Sequence, residues 1–480
     1  MTTPPSPKTW IAGIPEDSAV EETVWLHDPN TEEALQRARS SASEQVDRAI
    51  DRADQAHREG SWRDLGVAGR APYLLALADA LDHRSEDIAW CDALNSGVPI
   101  HFTRLFAQSL GQTVRDAVAL AVEQGDVQDL PMPQGPVRLR RVPWGPTTLI
   151  APWNAPAALA VKKTAFALAA GAPVVLKPSP VSPWSAELLA QAVSGAQIPE
   201  GVFGLVHGGR AVGEQLTADS RIKAIAMTGS TETGRQIARS AAPRFARLRL
   251  ELGSNNPVVV RADANVAATA RSLFDGMVKL NGQWCEAPRN VYVHVSVADG
   301  LVDCLSALVA GAEVGSSLDE ATRIGPMAFR EHRDGLVAQR GRWAEAGHRV
   351  VHAAEHRQGW FFAPTLVVGQ DIEVDAEVFG PMLTIEAATS DAGALDRARR
   401  TAGGLAAYVF GDDEDAAIQL GEQLLGGEVK VNGTSLLDMS PESAQSFFGS
   451  SGLGGHGDRD VLDFYAGKQI VGVDLVDPPI

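Results

Sequence analysis

Along this chain, apolar residues recur at three- and four-residue intervals in some stretches and in short unbroken runs in others. The two patterns alternate. Over residues 43–60, Val46, Ala49, Ile50, Ala53 and Ala56 fall on one face of a helix. The same periodicity predicts helices over 71–81 and 86–94 and a long one over 103–122. The first 30 or so residues read as irregular or strand-like. Asp129-Leu130-Pro131-Met132-Pro133 breaks the helical pattern. Residues 134–150 then read as extended, with Val137, Leu139 and Val142 interleaved with Arg138, Arg140 and Arg141 across an exposed strand pair. An edge of that sort either pairs with another subunit or domain, or stays solvated.

From 146 onward short apolar runs alternate with helical ones. Strands are expected at 147–151, 173–176, 203–206 and 222–226, and helices at 156–170, 185–193 and 212–216. The rhythm resumes after Glu251, with strands at 257–260 and 290–294 and helices at 266–279 and 297–310. This is a βαβ order, so the expected fold class is α/β, with mainly parallel sheets covered by helices on both faces. Ligands in such sheets sit at the carboxyl ends of the strands. Asn154, Lys177 and Gly229 all fall there.

The length, 480 residues, suggests two to four domains on a prior of roughly 100–200 residues each. The net charge of −18 argues against nucleic acid and anionic membranes as partners. No apolar stretch approaches a membrane span, and the N-terminus lacks the pattern of a signal peptide. The three cysteines, Cys91, Cys285 and Cys304, suit a reducing cytoplasm better than a disulfide framework.

Chemistry concentrates in a few motifs. Asn281-Gly282-Gln283-Trp284-Cys285 ends a helical stretch, which puts the thiol on a loop. Glu251, 34 residues upstream, sits between two leucines and is followed by Gly253. A glutamate so placed either faces solvent or serves a site. Asn154 follows Pro152-Trp153 past a strand end. Its amide can donate to an oxyanion, or it can cap the helix that follows. Thr228-Gly229-Ser230-Thr231-Glu232-Thr233-Gly234 joins a strand to a helix and suits either a phosphate or an ordinary cap. Lys177-Pro178-Ser179 could meet a ribose or phosphate, or be a solvated turn. Glu286 directly follows the thiol. A carboxylate turned inward there opposes thiolate formation, so it is expected to point away.

Taken in order, these residues resemble the aldehyde dehydrogenase superfamily over nearly the whole chain. The resemblance also covers Lys163, Glu377-Val378-Phe379-Gly380-Pro381, Gly404-Leu405-Ala406-Ala407 and Phe448-Gly449. It implies an aldehyde dehydrogenase-like fold of two doubly wound parallel-sheet domains plus a β oligomerisation element. The NAD(P)-binding domain is expected at 1–128 and 146–250, the catalytic domain at 251–445, and the oligomerisation element at 129–145 and 446–480, with its C-terminal strand near 469–475. A homodimer or homotetramer follows. The resemblance assigns Cys285 as nucleophile, Asn154 with the Cys285 backbone N–H as oxyanion hole, Glu251 as general base and Lys163 as a further catalytic residue. Cofactor contacts are Trp153, Lys177, Ser179, Pro180, Gly209, Gly213, Gly229, Ser230, Gly234, Leu252, Glu377 and Phe379. Ala155, Leu159, Trp284 and Phe448 border the substrate pocket and suggest an apolar or aromatic aldehyde. No metal is called for.

The implied activity is oxidation of an aldehyde to a carboxylic acid with NAD or NADP, through a cysteine thiohemiacetal and thioester. The chain departs from the family at several points. Ser254 stands for a glycine, Glu286 for a small neutral residue and Ala155 for an aromatic one. Pro180 stands for a glutamate that favours NAD, which opens the site to NADP with Lys177, Ser179 and Arg210 as contacts. Phe448-Gly449-Ser450-Ser451-Gly452 lacks the usual lysine. Alternatives are a CoA-acylating enzyme, against which Glu251 argues, a cofactor-independent thiol esterase, and a non-catalytic relative.

Overall fold

The computed structural model describes residues 3–132, 135–354, 358–401, 403–437, 439–440 and 442–474. Two large sheets organise it. The first has eight strands in the order Ile14–Asp17, Lys8–Ile11, Phe203–Leu205, Val174–Lys177, Thr147–Ile150, Ala224–Thr228, Arg247–Glu251 and Gly452–Leu453. Its five inner strands, from Phe203–Leu205 to Arg247–Glu251, run parallel. The second has seven strands, of which all but Arg349–His352 run parallel. The inner strands are near-continuous apolar runs such as Pro257–Val260, buried throughout, as strands covered on both faces must be.

The helices form where the spacing placed them. Ser43–Glu59, Gly66–Asp82, Ser85–Ser96 and Ile100–Gln124 precede the first parallel strands. The expected strand at 222–226 lies two residues later, at Ala224–Thr228. Ile222 is held in a turn on Asp219 and Lys223 donates to the Pro146 carbonyl before pairing begins. Before the first helix stand four strands, Lys8–Ile11, Ile14–Asp17 and the hairpin Val20–His27 with Ala34–Ser40.

A third sheet stands apart. Val137–Pro143 is its centre, flanked by Val127–Leu130 and by Ala466–Gly472, both antiparallel. The expected extended run began at Gln134, and the expected C-terminal strand ended at Leu475. Both positions lie outside the described residues. The segment from 446 onward, expected as part of the oligomerisation element, contributes to the first sheet. Gly452–Leu453 pairs with Leu250–Glu251 and so joins the first sheet beside the candidate base. The C-terminal stretch therefore helps build the site.

Candidate active site

Cys285 is presented by an unusual backbone. After the helix Val266–Val278, three successive residues, Leu280, Asn281 and Gly282, take left-handed conformations with φ of 50°, 59° and 71°. Only Gly282 does so without a Cβ penalty. A Cβ there would lie 2.3 Å from the Gly380 carbonyl carbon. Buried amides hold the turn. Asn281 Nδ2 donates to the Gly97 and Pro326 carbonyls at 2.8 and 2.9 Å, and its Oδ1 accepts from Gly325 N–H at 2.7 Å. Gln283 bridges the Ser96 carbonyl and the Ala328 N–H. The motif is thus a clamp in which each buried amide finds partners.

Two further residues tie this loop to its neighbours. Asn256 Nδ2 donates to the Cys285 and Ala287 carbonyls, each at 2.8 Å. The buried Arg289 guanidinium donates to the carbonyls of Gly282 and Gly380, both at 2.6 Å. Asn255 meanwhile bonds the Ala376 carbonyl and the Val378 N–H. The loops carrying Glu251, Cys285 and Glu377 are therefore one hydrogen-bonded unit. Ser254 belongs to its scaffold. Its hydroxyl accepts from Gly404 N–H at 3.4 Å, and it does not line the cavity that holds Cys285.

That cavity, of about 420 Å³, brings together Cys285, Glu251, Asn154, Trp153, Leu159, Lys177, Ser179, Pro180, Gly229, Ser230, Leu252, Glu377 and Phe379. An adjoining cavity of about 590 Å³ shares Lys177, Pro180 and Ser230 and adds Gly209, Gly213 and Arg210. Together they make a long cleft at the carboxyl ends of the first sheet's strands. Its chemistry fits a dinucleotide. Ser230 caps the helix Thr231–Ala241, whose N-terminus opens on the cleft, and a Cβ on Gly209 would meet open space. Burial pushes the Lys177 ammonium down to about 8. Of the expected cofactor contacts only Gly234 is absent from this lining. Leu252 packs on it, so that a Cβ would lie 2.5 Å from a Leu252 methyl.

Glu251 ends its strand beside Thr228, whose hydroxyl donates to Oε2 at 3.0 Å. The Cys285 thiol donates to Oε1 at 3.7 Å. Burial pushes the Glu251 carboxyl up, but the charges of His456, Lys163 and Arg249 outweigh it and hold the group well below the usual carboxylate range. The thiol goes the other way, raised by burial and by Glu251, Glu286 and Glu377. Lys163 is buried outside the cavity lining and is pushed down to about 7, first by burial and then by Arg249.

Asn154 is not the helix cap. Its Nδ2 donates to the Gln283 carbonyl at 2.9 Å, and Ala155 occupies the cap position of the helix Pro156–Ala169 without a side-chain bond. Asp92, from another helix, supplies the acceptor instead, Oδ2 taking the Ala157 N–H at 3.2 Å. The Asn154 amide is thereby left to the Cys285 loop. Glu377 folds inward, its Oε1 accepting from Ser254 N–H at 3.1 Å.

Three expectations need correction. Glu286 does not point away. It is mostly buried, with Oε1 3.9 Å from His456 Nε2, and burial raises its carboxyl. Trp284 is turned from the cavity. Its indole N–H donates to the Gly276 carbonyl, and the ring packs with Val98, Leu280 and Ala287. Ala155 and Phe448 are also absent from the lining, so Leu159 is the one expected pocket residue that borders it. Sequence reasoning missed Phe329 and His332, which form an aromatic group with Trp153 and Phe379 at centroid distances of 5.0–6.1 Å. It also missed Thr228 as a partner of Glu251, and it missed His456. None lies in a spacing that links it to the thiol.

The comparisons with known proteins agree with this geometry. The family model described as "Aldehyde dehydrogenase family" matches residues 16–471. The chain is 34% identical over 438 residues to geranial dehydrogenase of Castellaniella defragrans, covering 88% of this chain and 90% of that protein. It is 30% identical to phenylacetaldehyde dehydrogenase of Pseudomonas fluorescens, over 93% of this chain and 91% of that one. Among solved structures, an NAD+ complex of betaine aldehyde dehydrogenase from Staphylococcus aureus superposes with a TM-score of 0.91 at 25% identity, covering 98% of this chain and 96% of that one. An NAD+ complex of aldehyde dehydrogenase from Bacillus cereus gives 0.90 at 26% identity, with coverage of 98% and 97%. The chain belongs to the aldehyde dehydrogenase family, and it is an oxidoreductase acting on aldehydes.

Proposed function

We propose that this enzyme oxidises an apolar or aromatic aldehyde to the free carboxylic acid with NAD or NADP, through a thioester on Cys285. The observation that carries the reading is the Cys285 thiol 3.7 Å from an ionised, buried Glu251, with the Asn154 amide anchored to the same loop. Cys285 loses its proton to Glu251 and its sulfur adds to the aldehyde carbon. Asn154 and the Cys285 N–H steady the oxyanion, and donors of that kind contribute about 3–4 kcal/mol in acyl transfer. A bound nicotinamide supplies the hydride acceptor. Glu251 releases the thiol's proton to solvent and then takes one from water, whose oxygen attacks the thioester, and the Cys285 sulfur leaves as thiolate.

Residues 1–128 and 146–250 hold the cofactor in this reading, and 251–445 supply the thiol and its scaffold. Trp153, Phe329, His332 and Phe379 wall the nicotinamide end. Burial pushes His332 down to about 4, so it is neutral at physiological pH and adds no charge there. Pro180 lines the adenosine end beside Lys177 and Arg210, and residue 180 itself offers no carboxylate against a 2′-phosphate, while Glu214, paired with Arg210 at 2.6 Å, and Glu232 line the same cavity. The relatives' names support apolar aldehydes, as does Leu159 in the lining. The third sheet joins copies into a dimer or tetramer. The three free cysteines fit the cytoplasm, and no helix among the described residues is long and apolar enough to cross a membrane.

The test is a panel including phenylacetaldehyde, geranial and betaine aldehyde, run separately with NAD+ and NADP+, following reduced cofactor and acid. Acid formed without CoA supports the reading. Strict CoA dependence, or ester turnover without any aldehyde oxidation, sinks it.

A further inference from the structure

Glu251 is almost wholly buried, yet each turnover leaves it holding a proton taken from water. That proton needs an exit. One group meets the geometry. His456 Nε2 lies 3.4 Å from Glu251 Oε1, the same oxygen that the Cys285 thiol approaches. Its side chain is 20% exposed against 4% for Glu251, so the imidazole spans the step from the buried carboxylate to solvent. Glu286 Oε1 stands 3.9 Å from the same nitrogen.

The histidine is held from behind. Its backbone pairs with Gln445 in the short antiparallel ladder 445–446 with 455–456. Its ring meets Phe447 edge-on at a centroid distance of 4.9 Å. The preceding carbonyl, Gly455, accepts two bonds from the buried Arg249 guanidinium, at 2.8 and 3.1 Å. The charged groups acting on this cluster are Glu251 and Arg249 from the strand Arg247–Glu251, Glu286 from the cysteine loop, and Lys163 from the helix Pro156–Ala169. Lys430 and Glu428, paired at 3.0 Å, act on it through Glu286.

We propose that His456 is a positioning residue that receives the proton from Glu251 during thioester hydrolysis and passes it to solvent, with Glu286 stabilising the imidazolium so formed. The inference rests on the hydrolytic reading above. Water loses a proton to Glu251 as its oxygen bonds the thioester carbon, and the carbon–sulfur bond breaks to leave the Cys285 thiolate. The Glu251 carboxylic acid then passes its proton to Nε2 of His456, whose earlier proton has gone to solvent, restoring the carboxylate. No oxidant or further reactant is needed. The same arrangement explains Glu286, whose presence beside a nucleophilic thiol is otherwise unfavourable. Through His456 its charge is spent on a cation instead of opposing the thiolate alone.

The experiment compares wild type, His456→Ala and His456→Gln in stopped flow, with phenylacetaldehyde and NAD+ or NADP+. 4-Nitrophenyl acetate serves as a second probe of acyl-Cys285 breakdown. Both variants are expected to release a burst of reduced cofactor near one per subunit, then turn over about ten- to a hundred-fold more slowly than wild type. Added imidazole should speed His456→Ala. Glutamine, which can bond Glu251 but cannot take its proton, should not restore the rate. Wild-type steady-state rates in either variant overturn the proposal, and so does slow turnover without a burst. A wild-type enzyme that neither reduces cofactor nor forms acetyl-Cys285 overturns the hydrolytic mechanism itself, a result distinct from either.

Discussion

Glu251 shows how one side chain acquires two tasks from its surroundings. Its carboxylate is kept ionised by His456, Lys163 and Arg249 against the effect of burial, so it is ready to accept a proton from the thiol 3.7 Å away and later from water. Glu251→Gln removes both abilities but keeps the hydrogen bond from Thr228. Expected are slow formation and still slower breakdown of the acyl-enzyme, a steady-state rate lower by about 10² or more, and accumulation of modified Cys285 by mass spectrometry. Asp92 is a different buried carboxyl. Burial raises it to about 7 from an ordinary 3.8. The fold therefore favours its protonated form, while the unfolded chain ionises earlier. Its contribution is present below about pH 4 and is lost as pH rises through about 7. Asp92→Asn can still accept the Ala157 N–H and should lose less stability than wild type between pH 5 and 8, read by thermal unfolding.

At the scale of elements, the cysteine loop is the least replaceable piece. It turns through three left-handed residues and is pinned by Asn281, Gln283, Asn256 and Arg289. Gly282→Ala brings a methyl against the Gly380–Pro381 backbone, which has no flexible end to yield. Expected is a loss of about 1–3 kcal/mol from strain, together with displaced Cys285, read by denaturant unfolding and by the rate of thiol alkylation. The loop's position past a helix end was legible, because Asn-Gly-Gln interrupts the apolar spacing. The partners of its amides were not. They come from the end of Ser85–Ser96 and from residues 325–328, which no local pattern connects to the motif.

For the molecule as a whole, the third sheet stands outside both main sheets. Val127–Leu130 and Ala466–Gly472 are edge strands, and Val127, Ile470 and Val471 are exposed. Exposed apolar edges invite pairing with a second copy. Ile470→Asp is expected to shift the enzyme to a smaller species in light scattering while far-UV circular dichroism stays unchanged. Equal masses for variant and wild type would remove this sheet from the interface.

Much of the architecture was determined by the chain read alone. Unbroken apolar runs alternating with helical spacing announce parallel sheets, since strands buried on both faces need such runs and crossovers need helices. The thiol, the carboxylate and the amide were visible as residues whose chemistry fits one reaction. What only the tertiary structure decided was which way side chains turn and which distant segments meet. Trp284 follows its neighbours into the core because its indole finds a carbonyl there, whereas Glu286 turns toward the histidine. Asn154 is released from capping because Asp92 takes the helix N–H. His456 reaches Glu251 because the short strand Gly452–Leu453 pairs with Leu250–Glu251. Such long-range pairings leave no periodic trace in sequence, for the reason that hydrogen bonds between remote segments depend on geometry that exists only once the sheets have formed.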